Sequence, residues 1–196
     1  MSLDLFLRHL SDPRPRFECE PAGPPQDNRI EVEISHRLRP PASGSAITEL
    51  CRAISRPNPE MEALYGVHDG MDLYVQGSTV GVALYPVSTW GAATKSFRQD
   101  IATSGKLVEE LYDFERDGIV IGEPPHSGNV LMLYQGRVHY SDHDGGDDTP
   151  LAETFGAFLQ RIAVDPPQFL LDLGCYARYS DGRSETQWIP VRYLHD

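Results

Sequence analysis

Leu151, Phe155, Phe158, Leu159 and Ile162 recur at helical spacing close behind three short runs of strand-forming residues, and this succession constrains the fold more than any other feature. The runs are Gly118 to Gly122, Asn129 to Tyr134 and Arg137 to Ser141. Only Gln135-Gly136 separates the last two, so they pair as antiparallel neighbours. A helix with one strong apolar stripe then has to bury it against the sheet that precedes it. The expected class is α+β, a mainly antiparallel β-sheet packed with helices.

Upstream, the same logic gives shorter elements. Ile47, Leu50, Cys51 and Ile54 mark a helix with Ser45 as N-cap, and their spacing puts Cys51 on the apolar stripe as a buried small hydrophobe. A second helix follows, with Asn58 as cap, Pro59 at the first position, an apolar stripe of Met61, Leu64 and Tyr65, and an end at Gly66. His68-Asp69-Gly70 is a turn into a hairpin, Asp72 to Gln76 and Val80 to Tyr85, joined across Gly77-Ser78-Thr79. Ser88 offers a cap to a helix with Trp90, Ala93, Thr94, Phe97 and Ile101 on one face, ending near Gly105. Thr149-Pro150 offers a cap and first turn to the Leu151–Ile162 helix.

Prolines interrupt the first 45 residues, where Ile30, Val32 and Ile34 alternate with polar residues as a strand able to pair within one chain or between two. Beyond Pro166-Pro167, the runs Phe169 to Leu173, Cys175 to Tyr179 and Gln187 to Leu194 suggest strands and a terminal hairpin that extends the sheet.

Charge narrows the function. The 29 acidic against 17 basic side chains give a net charge of -12, which repels a phosphate backbone or an anionic membrane and suits a cationic partner or simple solubility. Met1 to Leu10 carries Asp4, Arg8 and His9 in its only apolar run, so neither a signal peptide nor a membrane span is expected. Cys19, Cys51 and Cys175 form no CxxC pair, which disfavours a disulfide framework or zinc site and suits a reducing compartment.

Chemical motifs are few. Asp142, Asp144, Asp147 and Asp148 cluster with His139 and His143, and hard cations favour the oxygens of such carboxylates. An EF-hand loop begun at Asp142 would place Asp147 where its turn needs glycine, and a solvated loop whose carboxylates favour the next helix N-terminus explains the same residues. No metal or cofactor is expected. No G-x-S-x-G elbow or H-E-x-x-H pair occurs, and Ser104-Gly105-Lys106 lacks the first glycine of a phosphate loop.

Taken together, the elements from Ile47 to Ile162 resemble the SUKH superfamily, the Smi/Knr-type group of bacterial immunity and fungal regulatory proteins. The resemblance lies in their order. A helix ending in Leu64-Tyr65 leads to His68-Asp69-Gly70, a hairpin ends at Leu84-Tyr85-Pro86 before the Trp90 helix, and Ile121-Gly122, Gly128-Asn129 and Gly136-Arg137-Val138-His139-Tyr140 follow. Thr154-Phe155 and Phe158-Leu159 resemble the Ser-Phe and Phe-Leu pairs of relatives. The likeness covers about 60% of the chain. Residues 1–44 and 166–196 fall outside a common core of about 45–165 as extensions of a single domain, and Asn58-Pro59 replaces the usual Leu-Pro.

The resemblance implies no catalytic residues and, in bacterial members, a cytoplasmic role in binding and neutralising toxins, often nucleases. An acidic surface meeting a basic toxin domain is the expectation, with Asp142, Asp144, Asp147, Asp148, Glu115, Asp117 and Glu123 as candidate contacts chosen by charge clustering. A general cytoplasmic adaptor or regulator on the same scaffold is the alternative.

Overall fold

The computed structural model describes residues 2–23, 28–54, 58–104, 111–124, 128–142, 147–174 and 177–195. The α+β expectation holds: two antiparallel sheets, one of six strands and one of three, pack with helices.

The six-stranded sheet is a meander in chain order, β3 (Ser35–Leu38), β4 (Met71–Val75), β5 (Val82–Leu84), β6 (Ile119–Glu123), β7 (Val130–Tyr134) and β8 (Arg137–Ser141). Its tight turn is built as the sequence requires: Gln135 and Gly136 both take positive φ, 50° and 84°, the type I′ signature that matches strand twist. The pleat of β7 then sorts side chains by face. Leu131 and Leu133 enter the main core, while Val130 and Met132 face the other way, toward Phe114, Val120, Phe97 and Tyr85.

The main core is one cluster running from Phe6 to Trp188. It is covered by α1 (Ser2–Leu10), α2 (Gly44–Ala53), α3 (Pro59–Tyr65) and α6 (Phe155–Val164), each burying part of one face. Local signals set these helices. Asn58 Oδ1 accepts from Met61 N–H with Pro59 in the first turn, and Ser43, rather than Ser45, caps α2 through Ala46 N–H. For α6 the cap is Thr154, which accepts from Ala157 N–H, and not Thr149. Residues 149–153 instead form a connection in which Ala152 bridges Val138 of β8. Cys51 is exposed, because Leu50 is the residue that α2 buries.

The extensions build the three-stranded sheet, while α1 and β3 join the main core and the large sheet. β1 (Arg16–Pro21) lies between β2 (Ile30–Glu33) and β9 (Trp188–Leu194), so the Ile30 strand pairs within the chain, and the C-terminal strand joins the small sheet instead of extending the large one. The bridge Tyr179–Trp188 is what the hairpin amounts to among the described residues, since 175–176 lie outside them. Phe169 to Leu173 is not a strand: α7 (Pro166–Asp172) occupies it, with Asp165 accepting from Gln168 N–H and two prolines in the first turn. Prolines without N–H groups suit a first turn whose donors have no helical acceptor, so Asp165-Pro166-Pro167 outweighs the apolar run.

Where the small sheet meets the large one, Tyr74 is the pivot. Its φ is +56°, a conformation that costs a tyrosine about 1 to 3 kcal/mol unless its surroundings enforce it. They do. The Tyr74 hydroxyl donates to Ile162 O at 2.8 Å, its carbonyl accepts from the Tyr179 hydroxyl at 2.8 Å, and its N–H donates to His36 Nδ1 at 3.4 Å. Because the Tyr74 proton is committed to Ile162, His9 Nε2–H must be the donor in its 2.9 Å contact with the same oxygen. Tyr74→Phe therefore leaves His9 Nε2–H and the Ile162 carbonyl without this partner inside the core, and a loss of about 2 to 3 kcal/mol in urea-denaturation stability is expected. A loss under about 0.5 kcal/mol contradicts the network.

Candidate functional site

The outward face of the large sheet carries α4 (Val87–Ser104), and the way this helix is fastened creates a groove. Val87 N–H donates to Asp69 Oδ1 at 2.9 Å, so the helix is started by the turn at 69–70 rather than by Ser88. Trp90 Nε1 donates to Tyr85 O at 3.1 Å, Thr94 Oγ1 accepts from Val120 N–H at 2.9 Å, and Arg98 donates to Gly118 O at 3.1 Å. Positions 90, 94 and 98 lie on one helical row, so the face that carries Trp90, Ala93, Thr94, Phe97 and Ile101 is divided. Trp90 and Thr94 are buried, whereas Phe97 and Ile101 are only half-buried and turn toward the groove.

The groove has a volume of about 990 Å³, against about 500 Å³ for the cleft between α2 and α4. Small residues on α4, Ala92, Ala93 and Ser96, leave room beside Phe97, while Tyr85, Val120 and Val130 supply the sheet side. Its charged groups are mainly acidic: Asp100, Glu115 and Glu123 line it together with Ser141, and Arg39 is the cation among the described lining residues. Arg39 also pairs with Asp72 at 3.6 Å.

Glu115 is the unusual member. It sits on α5 (Asp113–Asp117), only 4% exposed. Its carboxylate accepts from Ser141 Oγ at 2.7 Å and from Tyr112 N–H at 3.2 Å, the second contact being the backward half of a capping box. Among the described residues no arginine, lysine or histidine forms an ion pair with it. Glu123 is exposed and hydrogen-bonds the Tyr85 hydroxyl, whose pKa rises through burial first and this acidic neighbour second.

The other charge-selected residues are dispersed. Asp117 is exposed and pairs with Arg116, which also holds Asp113. Asp142 is half-buried directly after β8, Asp147 and Asp148 are exposed, and Asp144 lies outside the described residues. Asp148 borders a separate cleft of about 350 Å³ with Tyr112, Phe114, Tyr134, Arg137 and His139. There Phe114 and His139 stack at 4.5 Å, and burial, then Arg137, holds His139 below its ordinary pKa against the opposing pull of Asp148 and Glu153. Among the described residues no group of three or more histidine, cysteine, aspartate or glutamate side chains is placed to hold a metal ion.

Thus two of the seven chosen carboxylates, Glu115 and Glu123, come together in one groove. The aromatic and small residues that make it a groove, Tyr85, Ala93, Phe97 and Val130, carry no charge and so are not marked by charge clustering, although the half-apolar, half-small face of α4 is visible in the sequence. Fold and site define an α+β protein with an acidic, partly apolar groove between a helix and an antiparallel sheet. A scan against protein-family models and a search of curated proteins each return no match to this chain. No helix among the described residues is long and apolar enough to cross a membrane.

Proposed function

We propose that the protein is a cytoplasmic immunity-type binding protein that neutralises a basic toxin domain and performs no bond chemistry of its own. The observation that carries this reading is the groove beneath α4, where apolar walls run beside three carboxylates, in a chain of net charge -12. Such a surface suits a segment that is both apolar and cationic: burial of side chains supplies affinity, and opposite charge supplies steering and register. The likeness of element order to the SUKH superfamily, whose bacterial members bind toxins, supports a protein-binding role of this kind.

The test uses the full chain and a groove-filling variant, Ala93→Trp, with circular dichroism to check its fold. Each is used to capture partners from the protein's own cells at moderate salt, and every captured domain is then expressed alone and together with this protein. The expected result is a basic domain held by the wild type, weakened at least about tenfold by Ala93→Trp, whose toxicity co-expression suppresses. A groove-dependent partner without toxicity would establish the adaptor alternative instead, and a partner indifferent to Ala93→Trp would remove the groove from the interface.

A further inference from the structure

Resting on that reading of the groove as a protein-docking site, we infer that its Glu115 end receives an arginine side chain of the partner, in preference to lysine. A carboxylate 4% exposed is costly to keep charged unless each oxygen is satisfied. Among the described residues, one oxygen of Glu115 takes a single hydrogen bond from Ser141 and the other a single one from Tyr112 N–H. A carboxylate oxygen has two lone-pair positions, which leaves an acceptor position on each oxygen for the two prongs of a guanidinium. Ser141, itself 5% exposed, lines the groove with Glu115, which places the pair at its wall.

The rest of the groove favours the same group. The half-buried Phe97 lines the same groove and offers an aromatic surface, against which a flat, weakly hydrated guanidinium packs better than an ammonium that holds its water. Glu123 and Asp100 make the approach to that point negative, while Arg39 is engaged with Asp72. Ser141 and Tyr112 already fix the Glu115 rotamer, so binding has little side-chain freedom left to remove there.

The experiment titrates isotope-labelled full-length protein with three probes, followed by backbone amide shifts: Nα-acetyl-arginine N-methylamide, its lysine counterpart and its uncharged citrulline counterpart. The arginine probe is expected to bind with Kd on the order of 1 mM and to move the amides of Phe97, Glu115 and Ser141, the lysine probe to bind about fivefold more weakly, and citrulline not to bind. Glu115→Gln should weaken the arginine probe at least about tenfold, and Glu123→Gln no more than about threefold. If Glu115→Gln does not fold, Ser141→Ala, which frees the Glu115 rotamer, should weaken it about threefold. Equal binding of arginine and lysine, or unchanged binding in the Glu115 or Ser141 variants, overturns the inference. Should the probe fail while a captured partner still loses affinity to Ala93→Trp, the arginine assignment falls and the docking site stands; if Ala93→Trp changes neither, both fall.

Discussion

Gly70→Ala should cost the protein at least about 4 kcal/mol, a large share of the stability of an ordinary domain. Two effects combine. Gly70 has φ of +86°, which a side chain tolerates poorly, and a Cβ there would lie 2.6 Å from Pro86 N, 2.7 Å from Leu84 O and 2.8 Å from Tyr85 C. All three are backbone atoms, and they cannot swing aside. The Tyr85 carbonyl is held by both the Tyr65 hydroxyl and Trp90 Nε1, each at 3.1 Å, and Val87 N–H by Asp69, so moving this strand end means releasing α3 and α4 as well. Gly136→Ala is the matched control: its φ is +84°, but nothing lies within 4 Å of the added carbon, so only the conformational cost of about 1 kcal/mol applies. Urea denaturation of the two variants decides the matter, and equal losses would show that close packing at Gly70 is not what the turn protects.

Acid should be the second large perturbation. Burial pulls His9 down to about 4, with further lowering from His36 and His195 and opposition from Asp12, and burial pulls His36 down to about 4 against Asp12. Tyr74 and Tyr193 are the aromatic neighbours that close around them. In the unfolded chain both histidines take up a proton near pH 6.5, whereas in the folded chain they stay neutral. Proton uptake between pH 6.5 and 4 therefore favours the unfolded state, so stability is full above about pH 6.5 and falls as pH drops toward 4. At pH 5 the loss should reach about 2 kcal/mol per histidine, before most carboxylates titrate. His36→Gln should abolish about half of the decline between pH 7 and 5 in thermal melts. An unchanged melting temperature across that interval would mean that neither ring is buried neutral.

How much of this was legible in the sequence depends on whether the deciding forces are local. Asn58-Pro59 and Gln135-Gly136 were readable because a cap, a ring-fixed φ and a positive φ are properties of adjacent residues. By the same standard Asp165-Pro166-Pro167 marks the start of α7, but the apolar run at 169–173 also fits a strand, because a helix buried on one side presents the same run. The five-residue α5 is too short for any period to show. In the groove, Glu115 and Glu123 could be picked for charge, yet charge does not say that Glu115 faces inward; Ser141, 26 residues away, settles that. Phe97 shares a face with Trp90 in the sequence, and the Thr94 and Arg98 anchors to β6 and its edge reveal that the helix is rolled enough to leave it half-uncovered.

The pairing of β1 with β9 joins residues 16–21 to residues 188–194. Closing so wide a loop is entropically slow, and during synthesis the early strand has no hydrogen-bonding mate on that side until the late one has left the ribosome. Phe17 and Cys19, both fully covered in the finished molecule, must wait in the meantime. A nascent chain halted near residue 180 should thus present a sticky β-edge to chaperones even when its large sheet is already complete.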